Sequence, residues 1–179
     1  MAKFFDSIDD SLAAFIARQH MFFTASAVAD GRVNLSPKGM DSLRILGPQR
    51  LAYLDLTGSG NETSAHMEAG GRLTVMFCAF EGAPLIVRAY GTARILREGS
   101  AGYDALIGHF VEHLGARQIV DMQVQSVQTS CGYAVPLMAF EGHRPNLLRW
   151  AQNKGEEGLK EYRSAHNRIS IDGLPTGWD

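Results

Sequence analysis

The sequence predicts a mainly β, α+β fold: a small antiparallel β-barrel of six or seven strands with peripheral helices. Two observations favour this fold. Short β-prone segments follow one another along most of the chain, and turn signals such as Asp30-Gly31 and Gly47-Pro48 connect them as hairpins. Only one short helix, over residues 61–69, is inserted between the early strands, whereas a parallel sheet needs a helix between most of its strands.

Local periodicity predicts the elements one by one. Helices are expected where apolar residues recur every three or four positions, over 7–19, where Ser7 can cap the first turn, and over 101–114. A further helical region begins at Pro145 and breaks near Gly155. The predicted strands cover residues 21–28, 32–36, 42–46, 50–56, 72–80, 85–96 and, as one or two strands, 118–140.

Two interruptions have a structural meaning of their own. Gly91 lies in the middle of the long segment 85–96 and indicates a bend, as a barrel requires. The last stretch, residues 168–179, is rich in turn residues but carries Ile171 and Trp178, so we expect it to dock on its own subunit or on a partner.

The composition favours one domain over residues 1–179, with 144–179 as a helical C-terminal extension. The chain has 179 residues, of which 45% are hydrophobic, and a chain of this length can bury about 70% of its unfolded surface. The net charge of −2 argues against nucleic-acid binding, and no apolar run is long enough to span a membrane. Cys78 and Cys131 show no CxxC spacing, so we expect free thiols in a cytoplasmic protein.

The segment LTGSGNETSAH, residues 56–66, allows two interpretations. Ser59 and Glu62 have the spacing of a capping box, in which the Glu62 carboxylate folds back onto the Ser59 N–H. The same unpaired N–H groups, with the hydroxyls of Thr63 and Ser64, suit a phosphate. A phosphate here needs a cation from elsewhere, and the candidates are Lys38, Arg44 and Arg88.

Three other segments were candidate sites. HFVEH, with His109, Glu112 and His113, matches a zinc-peptidase string, but a polar helix flank is the favoured interpretation. The segment NLSPKGMD, residues 34–41, is either a connecting loop or a backbone edge for a flat heteroaromatic ligand. Cys131 is expected to be a buried or interface thiol and not a nucleophile.

Taken in order, four segments resemble the pyridoxamine 5′-phosphate oxidase-related family of FMN-binding split barrels. They are FFTASAVADGRVNLSPKG, RLAYLDLTGSGNETSAHM, GRLTVMFCAF and LIVRAYGTARIL, which together span about residues 20 to 97. The later SVQTSCGYAVP and SIDGLPTG are similar to an uncharacterised subgroup of this family.

The resemblance implies a homodimer with FMN at the subunit interface. It implies that the flavin ring lies along Ser36, Pro37, Lys38, Gly39, Met40 and Asp41. It implies that the phosphate meets Leu56, Thr57, Asn61, Glu62, Thr63 and Ser64, and that Cys131 and Gly132 help to close the site. Lys38 is expected to supply the positive charge beside the ring, and no residue is assigned as a catalytic acid or base.

One departure from the family pattern bears on the substrate. The true oxidase has a Ser-Arg-Lys run where this chain has Asn61-Glu62-Thr63, and its terminal arginine motifs have no match here. The expected function is therefore an FMN-dependent oxidoreductase acting on a small molecule other than pyridoxamine phosphate, with NAD(P)H as a candidate electron donor. The alternative is a non-catalytic protein that binds flavin, heme or a deazaflavin. A metal site is not expected.

Overall fold

The computed structural model describes residues 2–178, which contain eight strands and four helices. The strands are β1 (Lys3–Phe5), β2 (Phe22–Ala27), β3 (Asn34–Lys38), β4 (Leu43–Gly47), β5 (Arg50–Leu56), β6 (Arg72–Cys78), β7 (Ile86–Leu96) and β8 (Ala116–Ser130). The helices are α1 (Asp10–Ala17), α2 (Glu62–Glu68), α3 (Ala101–Ile107) and α4 (Asn146–His166).

All strand pairings in the sheet are antiparallel, which confirms the predicted fold class. The sheet order is β3-β2-β6-β7-β8-β5-β4, with β1 added beside β8. The long strands β7 and β8 pair with each other over most of their length. Strand β7 also pairs with β6 and β8 also pairs with β5, so the two strands join the halves of the sheet. Within the described residues β3 and β4 are edges that do not pair with each other, so the barrel is open on that side.

The core follows from the alternation of side chains along the central strands. On β7, Val87 and Ala89 are fully buried, while their neighbours are only partly covered. The fully buried set is dominated by β5, β6 and β8, and α1 covers it with Leu12, Phe15 and Ile16. One hydrophobic cluster joins residues of β5, β6, β7 and β8 with α1, as expected of a sheet that curls round its own core.

Gly91 marks the predicted bend in β7. The register with β8 shifts between Tyr90 and Gly91, which leaves Gln125 of β8 as an extra, bulged residue. A Cβ at position 91 would collide with the main-chain carbonyl of Gln123, so only glycine lets the two strands approach this closely.

We therefore expect Gly91→Ala to lower the free energy of unfolding by about 1–3 kcal/mol, since backbone must move to admit the methyl group. Gly47→Ala is the matched control, because a Cβ there meets no atom within 4 Å. Urea unfolding of both variants measures the difference. Equal stabilities for the two variants would show that the strands can separate at Gly91 without cost.

Helices α1 and α3 differ from their predicted bounds. Helix α1 begins at Asp10 and is capped by Asp9, whose side chain accepts a hydrogen bond from the Leu12 N–H at 2.8 Å, and not by Ser7. Helix α3 ends at Ile107 and not at residue 114. Its apolar repeat misled the prediction because Phe110 packs into the core from the following turn.

The structure also contains one strand that the sequence did not predict, β1. Strand β1 has three residues and pairs with Val127–Thr129 of β8. Such a short segment carries no periodicity, and its partner lies more than a hundred residues away along the chain. No helix in residues 2–178 has the length and apolar character needed to cross a membrane.

Helix α4 consists of two helical pieces that meet at Gly155, as predicted. Gly155 has φ 66° and ψ 176°, which breaks the helical hydrogen bonding at that residue. After α4 the chain turns back, and the segment from Asn167 to Trp178, termed the C-terminal strap, runs over helix α2 and the loop before it. The strap thus docks on the rest of the same chain.

Candidate functional site

A cavity of about 350 Å³ opens beside the free edge of β3, and we call it the loop cavity. Three elements form it: the end of β3, the segment from the end of β5 to the start of α2, and the beginning of strand β8. Its lining residues are Asn34, Ser36, Pro37, Lys38, Asp55, Leu56, Gly58, Ser59, Gly60, Asn61, Glu62, Thr63 and Arg117. The β3 and β5–α2 segments are those on which the family resemblance placed a flavin ring and its phosphate.

A buried ionic cluster forms one wall of the loop cavity. The Arg117 guanidinium binds the Asp55 carboxylate at 2.6 and 3.1 Å, and the Lys38 ammonium binds the other oxygen at 2.8 Å. The side chains of Arg117 and Asp55 are only 3% and 5% exposed, whereas Lys38 is 24% exposed. Two cations therefore share one carboxylate, and the cluster carries a net positive charge toward the cavity.

A β-bulge aims Arg117 at this position. Asp55 pairs with Gln118 and the next residue, Leu56, pairs with Ala116, so Arg117 is the extra residue of β8. Its guanidinium also donates to the carbonyl of Gly60 at 2.9 Å and to the side chain of Asn167 at 2.7 Å. Arg117 thus ties the strand, the loop and the C-terminal strap together.

The cluster fixes the charge state of Asp55. Burial alone would raise the pKa of this carboxyl, but the adjacent Arg117 and Lys38 more than offset burial and hold it well below its ordinary range. Asp55 is therefore an ionised hydrogen-bond acceptor and not a proton donor at neutral pH.

The lowered pKa of Asp55 makes the stability of the fold depend on pH. Because the folded-state pKa lies below the unfolded value of about 3.9, Asp55 contributes stability above that pH and loses it as the pH falls further. We expect the ¹³C NMR resonance of the Asp55 carboxyl to keep its ionised shift at pH of about 3.9, where an unperturbed aspartate is half protonated. An Asp55 titration at the ordinary value would contradict the ionic cluster.

The loop before α2 is not the predicted capping box. Asn61 is the N-cap residue but its side chain makes no capping bond, and the Glu62 carboxylate accepts the Ile171 N–H of the C-terminal strap at 3.1 and 3.2 Å. The prediction that Glu62 folds back onto Ser59 is therefore wrong, because a distant segment competes for its carboxylate. Within residues 2–178 the main-chain N–H groups of residues 58–63 have no hydrogen-bond partner.

A chain of polar side chains runs inward from the cavity. The Asn34 amide donates to the Thr63 hydroxyl at 3.1 Å and to the Ser26 hydroxyl at 3.3 Å, and Ser26 contacts the His66 ring nitrogen at 2.9 Å. Ser26 and His66 are buried. This network holds Asn34 and Thr63, two of the cavity-lining groups, in fixed positions relative to β2 and α2.

The C-terminal strap supports the loop from behind. Asn167 accepts the Asn61 amide through its carbonyl at 3.3 Å and donates to the Gly58 carbonyl at 3.0 Å. The buried Ser64 hydroxyl donates to the Thr176 carbonyl at 2.7 Å. Asp172 forms an ion pair with Arg32, two residues before β3. The strap therefore fixes both sides of the loop cavity.

The structure places seven of the fourteen residues predicted for the site around the loop cavity. They are Ser36, Pro37, Lys38, Leu56, Asn61, Glu62 and Thr63. Gly39 follows Lys38 but lines a second, neighbouring cavity and not this one. Glu62 faces the loop cavity, although its carboxylate is held by the strap.

The remaining predicted residues lie elsewhere in this chain. Met40 and Asp41 form a tight turn with φ of 62° and 53°, and Asp41 is ion-paired with Arg44. Thr57 and Ser64 are buried behind the loop, where they bond to the Gly115 carbonyl and to Thr176. Cys131 is exposed and Gly132 packs against Leu85 and Ile86, and neither residue lines the loop cavity.

Arg117 and Asp55 are the charged residues of the loop cavity that no sequence signal identified. Arg44 and Arg88, which were candidates for the phosphate cation, bond to Asp41 and Ser130 instead. Arg117 carried no local signal, because it directly precedes the predicted strand 118–140, where a charged residue is expected to be exposed. The favoured interpretation of HFVEH as a polar helix flank is wrong, since residues 109–113 follow the end of α3. The zinc alternative lacks the same helix, and residues 2–178 contain no cluster of three metal-ligating side chains.

Comparisons with known proteins agree with this architecture. Residues 8–131 match the sequence model of the family described as pyridoxamine 5′-phosphate oxidase. The Aspergillus flavus pyridoxamine 5′-phosphate oxidase family protein ustO is 39% identical to this chain, and the match covers 98% of this chain and 78% of that protein.

Solved structures show the same fold at low sequence identity. A candidate pyridoxamine 5′-phosphate oxidase from Lactobacillus delbrueckii is 18% identical with a TM-score of 0.54, over 69% of this chain and 94% of that chain. HupZ from Group A Streptococcus is 24% identical with a TM-score of 0.52, over 67% of this chain and 91% of that chain. The family match over residues 8–131 and the 39% identity across nearly the whole chain establish that this protein belongs to the pyridoxamine 5′-phosphate oxidase family.

Proposed function

We propose that this protein binds FMN in the loop cavity and acts as an FMN-dependent oxidoreductase. One observation carries the proposal: the β3 end and the loop before α2, which the family pattern assigns to the flavin ring and its phosphate, line one cavity that also contains Arg117 and Lys38. A cavity of about 350 Å³ lies within the range of small-ligand sites.

The donor set of the loop cavity fits a phosphate. The free N–H groups of residues 58–63 and the Thr63 hydroxyl are neutral donors, and Arg117 and Lys38 add positive charge beside them. Arg117 is a functional substitute for the Arg and Lys that the Asn61-Glu62-Thr63 run lacks. Glu62 does not oppose an anion strongly, because its carboxylate points to the Ile171 N–H of the C-terminal strap.

The residues of this chain would bind and orient the flavin, while the flavin supplies the hydride or electron chemistry. Lys38 sits at the end of β3 and places a positive charge where the ring is expected. Pro37 has no N–H, so the edge of β3 offers the carbonyl at this position without a competing donor. The ionised Asp55 holds Lys38 in place and does not exchange protons with a substrate.

A flavin-binding protein without turnover is the second candidate. The observation in its favour is that the described lining of the loop cavity contains no histidine, cysteine or tyrosine that could act as a general acid or base. The same lining offers no histidine or cysteine ligand for a heme iron in this cavity. Direct hydride transfer between flavin and substrate needs no such residue, so the oxidoreductase remains the leading proposal.

The visible spectrum of the purified protein, with the mass of the molecule released on denaturation, tests flavin binding. We expect an oxidised-flavin spectrum and the mass of FMN, and a heme spectrum or a colourless protein that does not bind added FMN would contradict the proposal. Bleaching by NADH or NADPH, followed by reoxidation with an acceptor, distinguishes the enzyme from the carrier.

A homodimer is part of the proposal, with the partner subunit covering the open side of the loop cavity. Exposed apolar side chains lie on two of the segments near the loop cavity: Val33 and Leu35 around the start of β3, and Ile169 and Ile171 in the C-terminal strap. Exposed apolar side chains in such number are typical of an interaction surface. Light scattering after gel filtration measures the mass, and a monomer in the flavin-loaded protein would contradict this part.

Variants of two adjacent hydroxyl residues test the phosphate assignment. Thr63→Ala should weaken FMN binding by about three- to tenfold, the effect of one lost hydrogen bond, whereas Thr63→Ser retains the hydroxyl and should bind normally. Ser64→Ala should lower stability but change FMN affinity less, because the Ser64 hydroxyl is committed to Thr176. Equal flavin affinity in wild type and Thr63→Ala, by fluorescence titration, would contradict the assignment.

A further inference from the structure

A second cavity, of about 700 Å³, adjoins the loop cavity at Pro37 and Lys38, which line both. We call it the aromatic cleft. Its walls are the α1–β2 connection, the end of β3, the turn between β6 and β7, and the segment 138–144. The lining residues are Arg18, Gln19, His20, Met21, Pro37, Lys38, Gly39, Phe80, Glu81, Gly82, Met138, Ala139, Phe140, Gly142, His143 and Arg144.

One wall of the cleft is a stack of aromatic rings, which we call the platform. The His20 and Phe140 rings stack with centroids 3.8 Å apart and an angle of 10°, and the His143 ring meets Phe140 edge-on at 5.0 Å. Two main-chain N–H groups anchor the segment that carries Phe140. The Met138 N–H donates to the Phe80 carbonyl at 3.0 Å, and the Phe140 N–H donates to the Glu81 carboxylate at 3.1 Å. Phe140 nevertheless remains 42% exposed, so much of its surface is open to a ligand.

The charges around the platform are unbalanced. Arg18 and Arg144 line the cleft and form no ion pair or side-chain hydrogen bond with any of residues 2–178. Lys38 adds a third cation at the boundary with the loop cavity. Glu81 is the only acidic residue in the described lining, and its carboxylate accepts the Phe140 N–H. The cleft therefore combines a planar apolar surface with guanidinium groups that lack an anion.

We infer that the aromatic cleft binds a planar aromatic carboxylate, with its rings on the His20–Phe140 platform and its carboxylate at Arg18 and Arg144. Stacking on an aromatic surface selects a flat ring system, and a guanidinium recognises a carboxylate by paired hydrogen bonds. Because the cleft meets the loop cavity at Pro37 and Lys38, this ligand would lie beside the flavin as its substrate, a role that rests on the proposed function.

Calorimetric titration of the purified protein with 2-naphthoate and with neutral 2-naphthamide tests the inference, since the probes differ mainly in charge. We expect 2-naphthoate to bind at least about tenfold more tightly, the scale of a hydrogen bond between charged groups. The double variant Arg18→Gln, Arg144→Gln should reduce this preference to about twofold or less. Arg72→Gln, at an exposed arginine that lines neither cavity, should leave the preference unchanged.

A second variant separates stacking from charge. Phe140→Leu should weaken both probes by a similar factor, about three- to tenfold, because it removes the ring but keeps the guanidinium groups. Equal affinity for the two probes, no binding of either, or a preference that survives the double variant would overturn the inference. Far-UV circular dichroism confirms that each variant is folded.

The two proposals fail in different ways. The spectrum of the same preparation reports flavin, whereas the calorimetric preference for 2-naphthoate reports the cleft. A flavin-containing protein without this preference refutes the aromatic cleft alone. A protein with the preference that neither contains nor takes up FMN supports the cleft and refutes the proposed cofactor.

Discussion

Arg117→Met is expected to lower the free energy of unfolding by about 3–5 kcal/mol, the usual cost of removing one partner from a buried ion pair. The Arg117 side chain is 3% exposed and its guanidinium binds Asp55, Gly60 and Asn167. Without it, Asp55 keeps only Lys38 as a charged partner, and two further acceptors lose their donor. Urea unfolding measures this change in stability.

A matched control separates burial from charge. Arg94 also binds a buried carboxylate, that of Asp121 at 2.7 Å, but its own side chain is 76% exposed and Asp121 keeps Arg50 as a second partner. Arg94→Met should therefore cost less than about 1 kcal/mol. Equal losses of unfolding free energy for Arg117→Met and Arg94→Met would contradict the expectation that the buried cation contributes more than the exposed one. Arg117→Lys should retain charge for a phosphate but lose the bonds to the loop and the strap.

The same substitution has a separate expected effect on cofactor binding. If Arg117 supplies the phosphate charge, Arg117→Met should weaken FMN binding by at least about tenfold, measured by fluorescence titration under conditions where the variant is folded. Arg117→Lys should recover part of this loss. Unchanged FMN affinity in folded Arg117→Met would leave Arg117 with a structural role only.

Removal of residues 170–179 is the second change with a large expected effect. It deletes the carbonyl of Thr176, which accepts the buried Ser64 hydroxyl and the Arg97 guanidinium, both at 2.7 Å. It also releases Glu62 from Ile171 and Arg32 from Asp172. We expect a loss of about 2–5 kcal/mol in the free energy of unfolding, since buried donors are left without partners.

The truncation should also weaken flavin retention, because the strap fixes the loop before α2 and the start of β3. A shorter truncation after Gly177 is the control. It retains Thr176 and Asp172 and removes the contact of Trp178 with Arg163, whose guanidinium lies 5.4 Å from the ring centroid. We expect the shorter truncation to cost about 0.5–2 kcal/mol. If the longer truncation keeps the stability and flavin content of the shorter one, the strap does not support the site.

Much of the fold could be predicted from local signals. Strands β2 to β7 follow alternating or β-prone runs between recognisable turns. The bend in β7 and the break in α4 occur at Gly91 and Gly155, as these glycines predict. The errors occurred where distant contacts decide the outcome. Residues 108–114 carry an apolar repeat yet leave the helix, and β1 exists only because β8 offers it an edge.

The same division applies to the candidate site. The segments 36–41 and 56–64 could be identified in the sequence because their order and spacing match a family, and the structure places residues of both around one cavity. The charge of that cavity could not be predicted. Arg117 reaches Asp55 through the pairing of β5 with β8 and a bulge between them, although 62 residues separate the two along the chain. No local pattern encodes such a pairing.

The sequence by itself therefore determined the strand pattern, the turns and the family of this protein, because these depend on residues that are neighbours along the chain. Only the tertiary structure decided that Arg117 is the buried cation, that Glu62 turns to the C-terminal strap, and that His20 and Phe140 form one platform. Each of these depends on segments brought together by folding. Their interaction energies depend on burial and geometry, which the order of residues alone does not specify.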